Sequence, residues 1–170
     1  MTRKGYVVAT VAAVLGIAIA SIVSITPKLI WNASASVPIG LYRVAPAGQL
    51  RQSDLVAVMP PESFGSFMVA RGYIGRDVLI LKHVMGLPGQ CVCRTDGRVT
   101  VDDVAHGDAL QRDSRGRALP VWQGCRVLAD DEIFLMNPKV RDSLDSRYFG
   151  PFPTSAVIGR AIPILTSTGG

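Results

Sequence analysis

A short apolar segment that contains one lysine, residues 79–90, constrains the fold of this chain more than any other. The run is unbroken and closes with Gly and Pro, which is typical of a strand buried on both faces that ends in a turn. Alternation along a strand places Lys82 on one face and His83 on the other. Because burial disfavours the charged form of lysine, the pKa of Lys82 should fall toward a range in which its amine can act as a general base. An edge strand with a lysine that reaches solvent fits this segment equally well.

The first 30 residues are more apolar than the rest of the chain. No residue from 6 to 25 is charged, and a run of this length can span a bilayer core, which takes about 20 residues. Arg3 and Lys4 precede the run and only Lys28 soon follows, which favours a cytoplasmic N-terminus and an exported remainder. A cleaved signal peptide is the alternative, because residues 33–35 imitate a cleavage site, but such peptides have shorter apolar runs. We expect a membrane anchor over residues 1–30 and a periplasmic domain over residues 31–170.

The exported part contains many short apolar runs separated by turn residues. The runs that we predict as strands cover residues 40–44, 54–59, 79–85, 91–94, 98–101, 126–128, 133–136 and 156–163. A looser stretch at residues 63–75 is expected to form a turn of helix. The pattern predicts a mainly β domain with little helix beyond the anchor, and the polar residues 106–119 are predicted to form a solvated excursion or hairpin.

The charge of the chain argues against a nucleic-acid partner. The formal net charge is +5, from 18 basic and 13 acidic side chains. Residues 1–30 hold Arg3, Lys4 and Lys28 and no acid, so beyond them 15 basic side chains face 13 acidic ones. This near balance, without a basic run or stripe, gives no support to binding of a phosphate backbone.

All three cysteines lie in the exported part, where disulfides can form and persist. Cys91 and Cys93 are too close in sequence to bridge readily, so Cys125 should pair with one of them and leave an odd thiol. We take Cys93 and Cys125 as the disulfide candidates. A zinc site is the weaker interpretation, because no fourth ligand lies near the cysteines and the chain has only two histidines. We expect no metal and no cofactor.

Two further stretches carry polar side chains that suit the chemistry of a basic lysine. Ser36 lies in a turn with Pro38 just beyond the apolar run, and a serine hydroxyl becomes a good nucleophile only when a neighbouring base takes its proton. In residues 143–147, an extended backbone would project Ser143, Asp145 and Arg147 from one face. Ser143 could then orient an amine while Asp145 pairs with Arg147. A surface loop with a weak ion pair is the plainer interpretation of that segment.

Together, residues 36–42, 81–89, 143–150 and 158–161 resemble the serine–lysine signal peptidases, and the first and third are most similar to the TraF-type branch of bacterial conjugation systems. The resemblance implies a domain of coiled β-sheets. It implies that Ser36 is the nucleophile and Lys82 the base, with Ser34 contributing a hydroxyl to the oxyanion hole. By the same resemblance, Ser143 orients the lysine, and Asp145 with Arg147 shapes the site.

Departures from the ordinary signal-peptidase pattern favour the specialised branch. Val37 replaces a frequent methionine, His83 replaces a common arginine, and residues 137–139 replace Gly-Asp-Asn. The resemblance then implies a serine endopeptidase of the inner membrane that processes a pilin-like precursor for a conjugative transfer apparatus, in some members with cyclisation.

Other functions remain as alternatives. A general signal peptidase has the same chemistry with another substrate, and a membrane-anchored pilus assembly factor would use the β domain for binding alone. A hydrolase that relies on His83 or His106 is disfavoured, because His83 points away from Lys82 and His106 lies in a polar stretch. A self-cleaving repressor is disfavoured because an apolar run stands where its DNA-binding domain would be.

Overall fold

The computed structural model describes residues 3–22 and 27–167, and the fold is mainly β as the sequence predicts. The helices are α1 (Arg3–Ile22), α2 (Glu62–Ala70) and α3 (Ser146–Phe149), and a 3-10 turn covers Thr154–Ala156. The strands are β1 (Leu29–Asn32), β2 (Gly40–Ala45), β3 (Leu55–Val58), β4 (Ile80–Gly86), β5 (Cys91–Thr95), β6 (Arg98–Val101), β7 (Val104–Asp108), β8 (Gly124–Val127), β9 (Glu132–Met136), β10 (Phe152–Pro153) and β11 (Val157–Thr166).

The strands form two antiparallel sheets. The larger has the order β1-β2-β11-β3-β4-β9-β10 and the smaller has the order β7-β6-β5-β8. The larger sheet curls, so that β1 and β4, which are separated by three strands, line one cleft. β4 lies between β3 and β9, and Lys82 stands opposite Val56 in this register. The lysine therefore lies on an interior strand, which excludes the edge-strand interpretation.

The core is divided among three apolar clusters. One packs the inner face of the larger sheet against α2 and α3, with Val56, Phe64 and Tyr148 buried. A second joins the two sheets through Val92 and Phe134. The third lies beneath the β1–β2 turn. Its buried members are Val37, Tyr42, Val44, Ala57, Leu81 and Ala161.

Three segments differ from the sequence-based predictions. β1 begins at Leu29, within the range assigned to the anchor. β7 lies partly in the predicted excursion, because Val104–Asp108 completes a hairpin with β6. Residues 143–147 do not form an extended segment, because Asp145 caps α3 and accepts a hydrogen bond from the Arg147 backbone N–H.

The predicted membrane anchor is only partly described. α1 covers most of the apolar run and exposes Tyr6, Val8 and Val14. In residues 3–22 and 27–167, however, no helix is both long enough and apolar enough to cross a membrane. The transmembrane helix of the fold prediction is thus not found in the described residues. The predicted run continues to residue 25, and residues 23–26 lie outside the described range.

Candidate active site

Ser36 lies in the turn between β1 and β2, and the side chain of Asn32 holds this turn together. The buried Asn32 amide donates to the carbonyl oxygens of Ser34 at 2.8 Å, Val37 at 3.2 Å and Pro38 at 3.1 Å. Its oxygen accepts a hydrogen bond from the Ser34 backbone N–H at 3.1 Å. The Asn32 side chain thus bonds to four backbone groups of the turn. Backbone groups buried without such a partner would destabilise the fold.

The far side of the same turn is fixed by β2. The Tyr42 hydroxyl donates to the Pro38 carbonyl oxygen at 2.6 Å. Gly40 has a φ of +152°, and a Cβ atom there would lie 2.1 Å from the carbonyl oxygen of Leu165. Only glycine fits where β11 approaches this closely, so Gly40 allows the turn to join the sheet.

Ser34 and Ser36 contact each other at the exposed tip of the turn. Their hydroxyl oxygens are 2.8 Å apart, and the Ser36 backbone N–H donates to the Ser34 hydroxyl oxygen at 3.2 Å. A hydroxyl and a backbone N–H beside a candidate nucleophile are the donors that an oxyanion requires.

Lys82 is buried on β4 with 5% of the residue exposed. Its Nζ donates to the Ser143 hydroxyl oxygen at 2.7 Å. Burial lowers the pKa of Lys82 to about 8; the negative charge of Asp145 raises it and the positive charge of Arg147 lowers it. A pKa near 8 leaves an appreciable neutral fraction at physiological pH, so this amine can accept a proton.

Asp145 and Arg147 form a buried ion pair behind Ser143. Arg147 Nε donates to Asp145 Oδ1 and Arg147 Nη2 donates to Asp145 Oδ2, both at 2.9 Å, and the two side chains are at most 1% exposed. Arg147 Nη2 also donates to the carbonyl oxygens of Val140 and Ser143 at 2.9 Å. The pair therefore fixes the loop that carries Ser143, and the surface-loop interpretation of this segment is wrong.

The two histidines lie away from Ser36. His83 Nδ1 is 3.0 Å from Asn137 Oδ1, and the Asn137 amide donates to the Leu81 carbonyl oxygen, so His83 belongs to the β4–β9 side of the sheet. His106 lies on β7 and does not line the cleft that contains Ser36. Burial lowers the pKa of His106.

The cysteines lie in the smaller sheet, away from the cleft. Cys93 and Cys125 are opposite each other on β5 and β8 and form a disulfide with an S–S distance of 2.04 Å, while Cys91 is free. In the described part of the chain, no three His, Cys, Asp or Glu side chains are grouped closely enough to hold a metal ion.

Ser36, Lys82 and Ser143 line one cleft of about 500 Å³. Its walls are mostly apolar and come from β1, the Ser36 turn, the end of α2, the residues before β4, the start of β4 and the loop of residues 140–143. In the described part of the chain, the Lys82 amine donates a hydrogen bond to the Ser143 hydroxyl, and no hydrogen bond joins it to Ser36. A serine hydroxyl and a buried amine thus line the same cleft, and these are the two kinds of group that nucleophilic catalysis combines.

Sequence reasoning missed Asn32 and Asn137, which hold the two loops of the site. Both are buried and make hydrogen bonds to backbone groups. Asn32 directly precedes the Ser36 segment, but an asparagine near turn residues is so common that its position alone gave no signal.

We expect Asn32→Ala to lower kcat by about 100-fold, because small displacements of a reacting group are costly. Tyr42→Phe is the matched control, since it removes a single hydrogen bond from the same turn and should lower kcat by less than about tenfold. Steady-state kinetics measures both. Equal kcat values for Asn32→Ala and the wild type would show that Asn32 does not position Ser36.

Comparison with known proteins identifies the family. The chain matches the family model described as signal peptidase, peptidase S26, over residues 3–166. The conjugal transfer protein TraF of Agrobacterium fabrum (strain C58 / ATCC 33970) is 37% identical over 145 residues, which are 79% of this chain and 81% of that protein. The plasmid transfer protein TraF of Escherichia coli is 34% identical over 146 residues, with the same coverage of both chains. A crystal structure of a signal peptidase I from Enterococcus faecalis V583 aligns with a TM-score of 0.41 and 18% identity, over 67% of this chain and 97% of that one. The family model and the relatives show that the chain belongs to the signal peptidase family S26, with conjugal transfer proteins among its relatives.

Proposed function

We propose that this chain is a serine endopeptidase that cleaves an exported, pilin-like precursor for a conjugative transfer system. The observation that carries the proposal is the buried Lys82, whose pKa is lowered to about 8 in a cleft that also contains Ser36. The names of the TraF relatives support the connection to conjugal transfer.

The proposed reaction is acyl transfer through Ser36. Neutral Lys82 takes the proton of the Ser36 hydroxyl as the oxygen attacks the scissile carbonyl carbon. The Ser36 backbone N–H and the Ser34 hydroxyl, which bond to each other in the free protein, turn to the developing oxyanion. Lys82 then passes its proton to the leaving amine. Water or a peptide amine releases the acyl group from Ser36, and the second acceptor would make a cyclic product.

We propose that a direct hydrogen bond between Ser36 and Lys82 forms when the substrate binds. Catalytic hydrogen bonds are often incomplete in substrate-free proteins and tighten when the substrate is bound. Ser143 holds the amine at 2.7 Å meanwhile, and the Asp145–Arg147 pair keeps Ser143 in place. Ser143 is therefore a positioning residue for Lys82.

We further propose that the domain acts on the periplasmic side of the inner membrane. The exposed apolar side chains of α1, such as Val8, Val11 and Leu15, support an association of this helix with a membrane surface. A precursor with its own membrane segment would then lie close to the cleft.

Co-expression with the pilin-like precursor of the same transfer system tests the proposed function. The mass of the precursor is measured beside the wild type, Ser36→Ala and the control Ser155→Ala, which changes an exposed serine outside the cleft. We expect processing with the wild type and the control and none with Ser36→Ala. A product lighter than the hydrolysed one by one water would show cyclisation. Equal precursor masses with all variants and without the chain would refute the proposal and favour a non-catalytic assembly role.

A further inference from the structure

One wall of the cleft is made by residues without regular secondary structure. The connection from α2 to β4, residues 71–79, forms neither helix nor strand. Tyr73, Ile74, Val78 and Leu79 of this connection line the cleft, beside Ile80 to Lys82 of β4. A wall of this kind can bind a peptide selectively only if something else holds it in place, because irregular segments are the more mobile parts of a domain.

Asp113 supplies that support from a distant part of the chain. The Tyr73 hydroxyl donates a hydrogen bond to Asp113 Oδ2. Asp113 Oδ2 also accepts from Arg117 Nε at 2.7 Å, and Asp113 Oδ1 accepts the backbone N–H groups of Arg115 at 2.9 Å and Arg117 at 2.8 Å. Only 5% of the Asp113 side chain is exposed. One carboxylate thus joins the polar excursion to the cleft wall.

Two arginines strengthen the connection. Arg117 Nη1 donates to the Arg71 carbonyl oxygen at 3.3 Å, and its guanidinium lies 5.1 Å from the centre of the Tyr73 ring. Arg71 Nη1 donates to the Ala118 carbonyl oxygen at 2.8 Å and lies 3.9 Å from Asp113 Oδ2. Every one of these contacts joins residues 71–73 to residues 113–118. The stretch agrees with the hairpin alternative of the prediction, since Arg112 and Ala118 form an antiparallel bridge, but it packs against the α2–β4 connection instead of standing free in solvent.

The carboxylate is also held in its charged form. Burial raises the pKa of Asp113, but the hydrogen bonds from Tyr73, Arg117 and Arg115 outweigh this effect and keep the pKa well below its usual range. A charged acceptor makes stronger hydrogen bonds than a neutral one. The Tyr73 hydroxyl therefore has a charged acceptor at physiological pH.

We propose that Asp113 is a positioning residue of the substrate cleft: by holding Tyr73 it fixes the wall formed by residues 73–79 and so sets the affinity for the peptide segment that lies against it. The proposal rests on the proposed function for the nature of the ligand, an extended peptide. The wall is largely apolar, so the segment it receives carries apolar side chains. Asp113 itself does not line the cleft and touches no reacting atom.

Two variants remove the support to different degrees. Asp113→Asn keeps the shape of the side chain but removes its charge, and Tyr73→Phe removes one hydroxyl while the ring stays in the wall. Asp108→Asn is the matched control, because Asp108 is an exposed aspartate that pairs with an exposed arginine, Arg98, at 3.9 Å. Asp113→Asn weakens several hydrogen bonds at once and could impair folding. In that case the comparison of Tyr73→Phe with the wild type is the test.

The test combines two measurements on the full chain. Hydrogen exchange reports the opening of residues 71–79, and binding of the pilin-like precursor is measured in a Ser36→Ala background, where the proposed reaction cannot proceed. We expect both variants, but not Asp108→Asn, to speed exchange in residues 71–79 and to weaken precursor binding by about tenfold. In the catalytic background, KM should rise by a similar factor while kcat changes less than about twofold.

The outcomes separate this inference from the proposed function. Unchanged exchange in residues 71–79 would overturn the inference, and so would faster exchange with unchanged precursor affinity. If binding weakens as expected although the wild type never cleaves the precursor, the inference holds and the proposed peptidase activity fails.

Discussion

Replacing Lys82 by methionine should abolish processing of the precursor while making the folded domain more stable. Methionine matches the length of the side chain but cannot accept a proton, and loss of a general base costs a large part of the rate. We expect kcat/KM to fall by at least about 1000-fold.

The gain in stability follows from the lowered pKa of Lys82, about 8 instead of 10.5. The Lys82 amine binds its proton more tightly in the unfolded chain than in the folded one. This difference lowers the free energy of unfolding by its full amount below pH 8 and by nothing above about pH 10.5. The penalty is roughly 3 kcal/mol, from which the lost hydrogen bond to Ser143 subtracts about 1 kcal/mol. Lys82→Met should therefore raise the free energy of unfolding at pH 7 by roughly 2 kcal/mol, and the gain should shrink as the pH rises from 8 toward 10.5.

Urea unfolding at pH 7 and pH 10 measures the stability, and kinetics on the precursor measures the activity. His83→Ala is the control, because it changes the neighbouring residue on the opposite side of the strand and should keep most of the activity. An active Lys82→Met protein, or one whose activity falls only because it unfolds, would contradict this account.

Replacing Arg147 by methionine should have the largest effect on stability. It leaves the Asp145 carboxylate buried without its cation and removes the donors to the carbonyl oxygens of Val140 and Ser143. Removing one partner of a buried ion pair costs about 3–5 kcal/mol, a large share of the stability of a typical domain. Thermal and urea unfolding of the purified variant measure the loss.

A double variant separates the two causes. Asp145→Leu with Arg147→Met removes both charges, so about half of the loss should be recovered. The rest remains, because the loop carbonyl oxygens and the backbone N–H groups of Asn137 and Arg147 lose their partners. A loss below about 1 kcal/mol in Arg147→Met would show that solvent reaches the pair.

The sequence predicts the burial of Lys82 on β4 well because one pattern indicates it. An apolar run closed by Gly86, Pro88 and Gly89 indicates a buried strand, and a lysine inside such a run must lose hydration. Alternation also separates Lys82 from His83 correctly, since His83 bonds to Asn137. Ser36 and Ser143 are predicted less directly, because the residues alone make them candidates and the family resemblance assigns their roles.

The remaining parts depend on contacts that sequence spacing does not encode. Residues 143–147 fold into a cap and a helical turn instead of an extended segment, because Arg147 turns back onto Asp145 and onto four loop carbonyls. Asp113 lies 40 residues from Tyr73 in the chain, and only the packing of the excursion on residues 71–73 brings them together. Local polarity predicted a solvated stretch there, whereas tertiary structure buried its central carboxylate.

The pH dependence of kcat/KM on the pilin-like precursor tests the central claim most directly, because it reports the ionisation of groups in the free enzyme. Lys82 must be neutral to act as the base, and its pKa is lowered to about 8. We therefore expect kcat/KM to rise about tenfold per pH unit below pH 8 and to level off above it. If kcat/KM instead rises around pH 6.5, where an unperturbed histidine titrates, the assignment of Lys82 as the base is contradicted. A kcat/KM that does not change with pH would contradict it as well.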